Sequence, residues 1–211
     1  MFKRISILFT VFAVSVSAQA MLIDFTDKSW EAAINAGTGT SATIGNVTLT
    51  ANTGSLTFNR NDSGGCKNGQ PTNGLQCDGD GIGINNDEIT QGGSQQITVS
   101  FSEAVNINNI LLLDLFANET GYELDWSKRT GEIAVIDGLF YSGPNPLAGG
   151  YYATGITGQG ITSIVFSGYL DRFSDYALAG IDISPVPIPG AAILFGSALL
   201  GFFGFKRRRT V

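Results

Sequence analysis

Through the middle of the chain, apolar and polar residues alternate. Ile44, Val47 and Leu49 lead to Leu56 and Phe58, and Ile97, Val99 and Phe101 interleave with Thr98 and Ser100. Val105 and Ile107, then Ile110 to Leu115, form a longer apolar stretch, broken by Asp114. Ile133 and Val135, Ile164 and Phe166, and Ala179, Ile181 and Ile183 complete the series. Successive side chains of a strand point to opposite faces, so a period of two marks strands with one face buried. Gly, Asn and Pro separate the runs as turn residues do. Only Asp27 to Ala36, with Trp30, Ala33 and Ile34, suggests a short helix, and Asp27 is its candidate cap. Eight or more short strands between residues 21 and 184 predict an all-β domain, a β-sandwich of jelly-roll kind. No internal repeat is visible.

The two ends break this pattern. Met1-Phe2-Lys3-Arg4 precedes an apolar run from Ile5 to Val16 and then Ser17-Ala18-Gln19-Ala20. A basic start, an apolar segment too short to span a bilayer and an A-x-A site, in that order, predict a signal peptide over residues 1–20. At the other end, residues 185–211 hold Pro185, Pro187 and Pro189 at alternate positions, an uncharged run over 190–205, and Lys206, Arg207, Arg208 and Arg209. Alternate prolines make a stiff, extended linker. Sixteen uncharged residues would reach about 24 Å as a helix, short of a ~30 Å hydrocarbon core unless the bilayer thins or the flanks contribute. The basic cluster would hold the end of this single transmembrane helix on the cytoplasmic side, with the domain of residues 21–184 outside. A helix buried in the globular domain is the alternative, and the Arg run directly behind the apolar segment argues against it.

Setting the ends aside sharpens the charge. Residues 21–184 keep 6 of the 12 basic residues and all 18 acidic ones, a net charge of −12. Such a surface repels phosphate backbones, which excludes nucleic acid as a partner, and suits cations or neutral ligands such as glycans. There is no histidine. Ser-His-Asp and Cys-His nucleophilic sites and His-based zinc sites are therefore excluded. Cys66 and Cys77, the only two cysteines, flank a turn-rich segment with Asn68-Gly69 and Asn73-Gly74. In an exported chain this pair reads as a disulfide, with a reactive or metal-binding thiol pair as the alternative.

The tail carries a resemblance. Val186-Pro187-Ile188-Pro189, an apolar segment containing Leu194-Phe195-Gly196-Ser197-Ala198-Leu199-Leu200-Gly201, and Lys206 to Arg209 together resemble a PEP-CTERM sorting signal of the Val-Pro-x-Pro kind. Ile188 stands where the eponymous motif has Glu. The resemblance implies a Gram-negative bacterium and recognition near Pro187–Pro189 by an exosortase-type membrane protease. It also implies release or attachment at the cell surface, in association with extracellular polysaccharide or biofilm. Gly79 to Ile89, Ile97 to Val105 and Leu112 to Phe116 resemble the ectodomains found on such proteins, which implies fold rather than activity.

Three kinds of candidate chemistry remain. Asp78, Asp80, Asn85, Asp87 and Glu88, with Asn86, put hard oxygen donors on a Gly-rich segment of the sort calcium takes. The spacing is not that of an EF-hand, Asp24 or Asp182 would be needed to complete the shell, and a solvated acidic turn closed by the disulfide is the competing reading. Tyr122, Trp126, Tyr151 and Tyr152, with Tyr169 and Phe173, offer rings for stacking on sugars, against the plainer alternative of core packing. Glu123 with Asp125, or Asp171 with Asp175, could form the carboxylate pair of a secreted glycan-active enzyme. Lone carboxylates in an acidic chain are poor evidence for that. The reading taken forward is a non-catalytic surface or matrix protein.

Overall fold

The computed structural model describes residues 19–59, 66, 74–85, 88–90, 94–116, 132–142, 150–169, 174–187 and 196–197. The leader up to residue 18 lies outside these, as do Ile188, Pro189 and the basic cluster. Of 190–205 only residues 196–197 are described, and they are helical. Among the described residues no helix is long and apolar enough to cross a membrane.

Among the described residues the alternating pattern becomes eleven strands and, between the first two of them, an eight-residue helix, and all ladders are antiparallel. The organising element is β6 (Gln96–Leu113), an 18-residue strand that joins what the sequence suggested were separate strands. Its first part lies between β3 (Val47–Ala51), pairing Leu49 with Val99, and β10 (Gly158–Gly168), pairing Ile164 with Val99. β2 (Ser41–Ile44) continues that group on one side, and β7 (Ile133–Ile136) and β8 (Leu139–Ser142) on the other. The second part of β6 pairs along its length with β11 (Ala177–Pro185), and Leu111 and Leu112 also pair with β9 (Tyr152–Ala153). The far edge of β11 is shared. β1 (Met21–Asp24) takes Gly180 to Ile183, while β5 (Gly81–Ile84) takes Leu178 and carries β4 (Leu56–Asn59) beyond it.

A bulge on β6 explains why the apolar pattern looked broken. Asp182 faces Asn109 and Ile183 faces Ile107, which leaves Asn108 as an extra residue. Before it the positions buried in the main core are Val105 and Ile107; after it they are Ile110 and Leu112. One inserted residue resets the phase so that both runs face the same core. Asn109 seals the irregularity, its Oδ1 accepting from Ile110 N and Gly155 N, each at 2.9 Å.

The main core draws on both strand groups. Val47, Leu49, Ile97, Val99, Ile164 and Phe166 join Leu56, Phe58, Ile82, Ile110, Leu112 and Ile181 in one cluster. A smaller cluster of Leu111, Leu113, Ala177 and Ala179 occupies the opposite face of β6 and β11 and is covered by Leu75, Tyr151 and both cysteines. That part of the sheet is therefore buried on both faces.

The helix α1 (Ser29–Ala36) begins two residues later than Asp27, with Lys28 as its N-cap. The Asp27 carboxylate nonetheless accepts from Ser29 N at 2.7 Å, and its pKa is lowered chiefly by that bond. Trp30 and Ile34 bury against the main core, and the Trp30 ring lies 5.1 Å from that of Phe25.

Candidate functional site

The acidic segment proves to be two ends of a strand. Residues 81–84 form β5, and all four are buried because both faces of this strand are covered. Gly81 has φ +112 and lies so close to β11 that a Cβ would come within 2.5 Å of the Leu178 carbonyl oxygen, so glycine is required there. The four residues of β5 lie between Asp80 and Asn85, five strand rises or about 16 Å apart. Asp78 and Asp80 thus sit at the disulfide end, and Asn85 and Glu88 at the other; Asp87 lies outside the described residues. No single ion with oxygen ligands 2.3–2.6 Å away reaches both ends, so the ligand set expected from the sequence is not brought together. Among the described residues no group of three or more Cys, Asp or Glu side chains is arranged to hold a metal ion.

Each end is instead tied into the fold. Asp80 is buried, and its Oδ1 accepts from Cys66 N at 2.9 Å while its own N–H donates to the Asn59 carbonyl at 2.9 Å. A carboxylate that accepts a buried backbone N–H stabilises it strongly, because the alternative is an unmet donor. Asn85 adopts φ 71, a left-handed conformation that Asn tolerates better than most residues. Its Oδ1 accepts from Ser55 N at 3.2 Å and its N–H donates to the Ser55 carbonyl at 2.7 Å.

The disulfide forms as expected: Cys66 and Cys77 are bonded, with Cα atoms 5.3 Å apart. A second clamp holds the same segment, and its centre, Thr26, was not singled out in the sequence. Asp24 Oδ1 accepts from Thr26 N at 2.8 Å and Thr26 Oγ1 at 2.6 Å, and Asp24 Oδ2 accepts from Gln76 N at 2.6 Å. The Thr26 hydroxyl oxygen accepts from Cys77 N at 3.0 Å, and the Thr26 carbonyl accepts from Asp78 N and Gly79 N, each at 3.1 Å. Asp24, considered above as a metal ligand, therefore already serves three donors. Asp182 lines a cavity of about 210 Å³ with Ala20, Leu22, Asn109 and Leu111.

The aromatic candidates do not form one platform. Tyr151 is buried in the smaller cluster, whereas Tyr152 packs against the main core. Tyr169 stands edge-on to Phe140, with centroids 5.4 Å apart, and Tyr122, Trp126 and Phe173 lie outside the described residues. Of the carboxylate pairs, only Asp175 is described.

The outward side of the first strand group carries a pattern that was legible only as polar alternation. The ladder aligns Thr43, Thr48, Ser100 and Ser163 in one row across β2, β3, β6 and β10. The next row is Ser41, Thr50, Thr98 and Val165. Seven of these eight positions carry a hydroxyl, none carries a charge, and none is buried. Thr43 and Thr48 share a hydrogen bond of 3.0 Å, and Ser41 Oγ donates to the Leu49 carbonyl at 3.1 Å.

Comparison with protein-family models, curated proteins and solved structures finds no match for this chain.

Proposed function

We propose that the chain is an exported, non-catalytic surface or matrix protein. In this reading its leader is removed after Ala20, an exosortase-type protease processes its tail, and it associates with extracellular polysaccharide. The observation that carries this is the order of parts at the C-terminus: Val186-Pro187-Ile188-Pro189, the uncharged run and Lys206 to Arg209. The tail follows directly on β11, so the sorting segment begins where the domain's last strand ends. A disulfide that closes the domain suits an oxidising compartment outside the cytosol.

We read the two strand groups as the two leaves of a β-sandwich, jelly-roll in kind, with β6 running from one leaf into the other over the shared core. The outward face of the leaf formed by β2, β3, β6 and β10 carries polar residues that are not buried, which fits a binding module, whereas that of the other leaf lies under Leu75, Tyr151 and both cysteines. This reading assigns no calcium to the acidic segment, because β5 holds its two ends apart.

The test replaces Pro187 and Pro189 with Ala in the full chain, expressed in a host that carries an exosortase. Wild-type protein should leave the membrane fraction as a species beginning at Met21, and the variant should accumulate as an uncleaved, membrane-bound precursor. Equal release of both would refute the sorting reading. New reducing ends in polysaccharide incubated with the released protein would replace the binding role with an enzymatic one.

A further inference from the structure

We infer that the hydroxyl face of β2, β3, β6 and β10 is the surface on which a neutral polysaccharide chain lies. This deepens the proposed association with polysaccharide and rests on it. The inward residues of these strands (Ala42, Leu49, Val99 and Ile164 in one row) are all buried in the main core. The residues between them are therefore forced outward by the pleat, and their identity is free of any packing demand. At such positions a chain with 18 acidic and 12 basic residues has ample charge to place, yet Thr and Ser hold all but one of the eight.

The geometry is that of a small lattice. Hydroxyl-bearing residues repeat about 4.8 Å apart from strand to strand and about 6.7 Å apart along β2, β3 and β6. Thr presents a hydroxyl and a methyl on one stiff, β-branched stem, so each position offers a donor, an acceptor and an apolar contact with little rotamer entropy to lose. That is the mixed character of a sugar ring, which shows hydroxyls at its rim and C–H groups on its faces.

Charge selects the class of ligand. With no ion on the face, a neutral polymer binds without stripping water from a charge. A polyanion approaching it meets the field of a domain carrying −12. A single sugar would cover only one or two of these positions and gain few contacts. A polymer, whose rings repeat along the rows, gains by multivalency.

The experiment uses the full chain, exported and processed, with insoluble cellulose as the neutral probe and alginate as the polyanion. Thr48, Thr50 and Thr98 are changed together to Val, which keeps shape and strand propensity while removing three hydroxyls. Thr57→Val, a partly buried threonine of β4 outside both rows, is the control. Cellulose should retain the wild type and Thr57→Val, alginate should not, and the triple variant should lose at least tenfold in retention with its melting temperature held. Undiminished retention of the triple variant would overturn this surface while leaving polysaccharide association standing. Failure of the wild type to bind cellulose would overturn both. A change from dimer to monomer in the triple variant, with retention unchanged, would assign the face to a second copy of the chain and overturn the proposal.

Discussion

Thr26→Val should be costly despite its small change in volume. Thr26 is fully buried between β1 and the disulfide segment, and its hydroxyl both donates to Asp24 and accepts from Cys77 N. Thr26→Val keeps the volume and the backbone carbonyl that serves Asp78 N and Gly79 N, so only the hydroxyl chemistry changes. The buried Cys77 N–H then has lost its Thr26 acceptor, at a cost of about 1–3 kcal/mol, and the charge-assisted bond to Asp24 is lost as well. Asp24 keeps Thr26 N and Gln76 N as donors, which limits the second term. The sum is about 2–4 kcal/mol, and a domain of this size loses roughly 2–4 °C in Tm per kcal/mol. Thermal unfolding followed by circular dichroism should therefore show Tm lower by about 5–15 °C in Thr26→Val, with Thr26→Ser recovering most of it because the hydroxyl returns. A Tm for Thr26→Val within 2 °C of wild type would refute the claim that this hydroxyl holds the segment in place.

Replacing Cys66 and Cys77 together with Ala should cost roughly 3 kcal/mol in urea unfolding. It should also admit an apolar dye to the smaller cluster of Leu111, Leu113, Ala177 and Ala179, and unchanged stability would count against the bond as a constraint. Tyr176 is fully buried and donates to the Ser167 carbonyl at 3.0 Å, and burial pushes its pKa well above the usual 10.0. Its neutral form therefore contributes stability that is fully present below the unfolded pKa and lost as pH rises above it. Urea unfolding at pH 8 and pH 11 should show a smaller alkaline loss in Tyr176→Phe than in wild type, and equal losses would contradict this. Because β5 separates Asp80 from Asn85, calcium should leave the melting temperature where a chelator leaves it. A calcium-dependent rise abolished by Asp78→Ala would restore a metal to the disulfide end.

The strands that could be read from the sequence were those with one wet face, because only they alternate. Ile97, Val99 and Phe101 gave themselves away through Thr98 and Ser100, and the structure buries the first three and leaves the others partly open. β5 was concealed because both of its faces are covered and two of its four residues are glycine, so no alternation exists to detect. The bulge at Asn108 was hidden in another way, since the stretch from Val105 to Leu115 reads as apolar without showing that its phase shifts by one residue. The acidic residues illustrate a chemical ambiguity. A carboxylate that accepts from a buried backbone N–H, as Asp80 does from Cys66, has the same local sequence as one that waits for a cation. Only the distance across β5 separates the two. The disulfide was legible because two cysteines allow only one intramolecular pairing.

The register of β1 against β11, Met21 beside Ile183, ties the domain's opening strand to its closing one. β11 also completes the ladders of β6 and β5, so the strand made last is an inner strand and not an addition at the rim. A nascent chain that has reached residue 170 holds β6 with one flank open and has nothing for β1 to rest on. No stable intermediate built from the N-terminal half can form ahead of time, and closure waits on contacts spanning about 160 residues, the kind that form slowly. The chain therefore stays largely unfolded until β11 has been made. The price is exposure: until β11 arrives, the open flank of β6 is a pairing edge, and premature truncation near residue 176 should yield aggregates rather than a smaller domain.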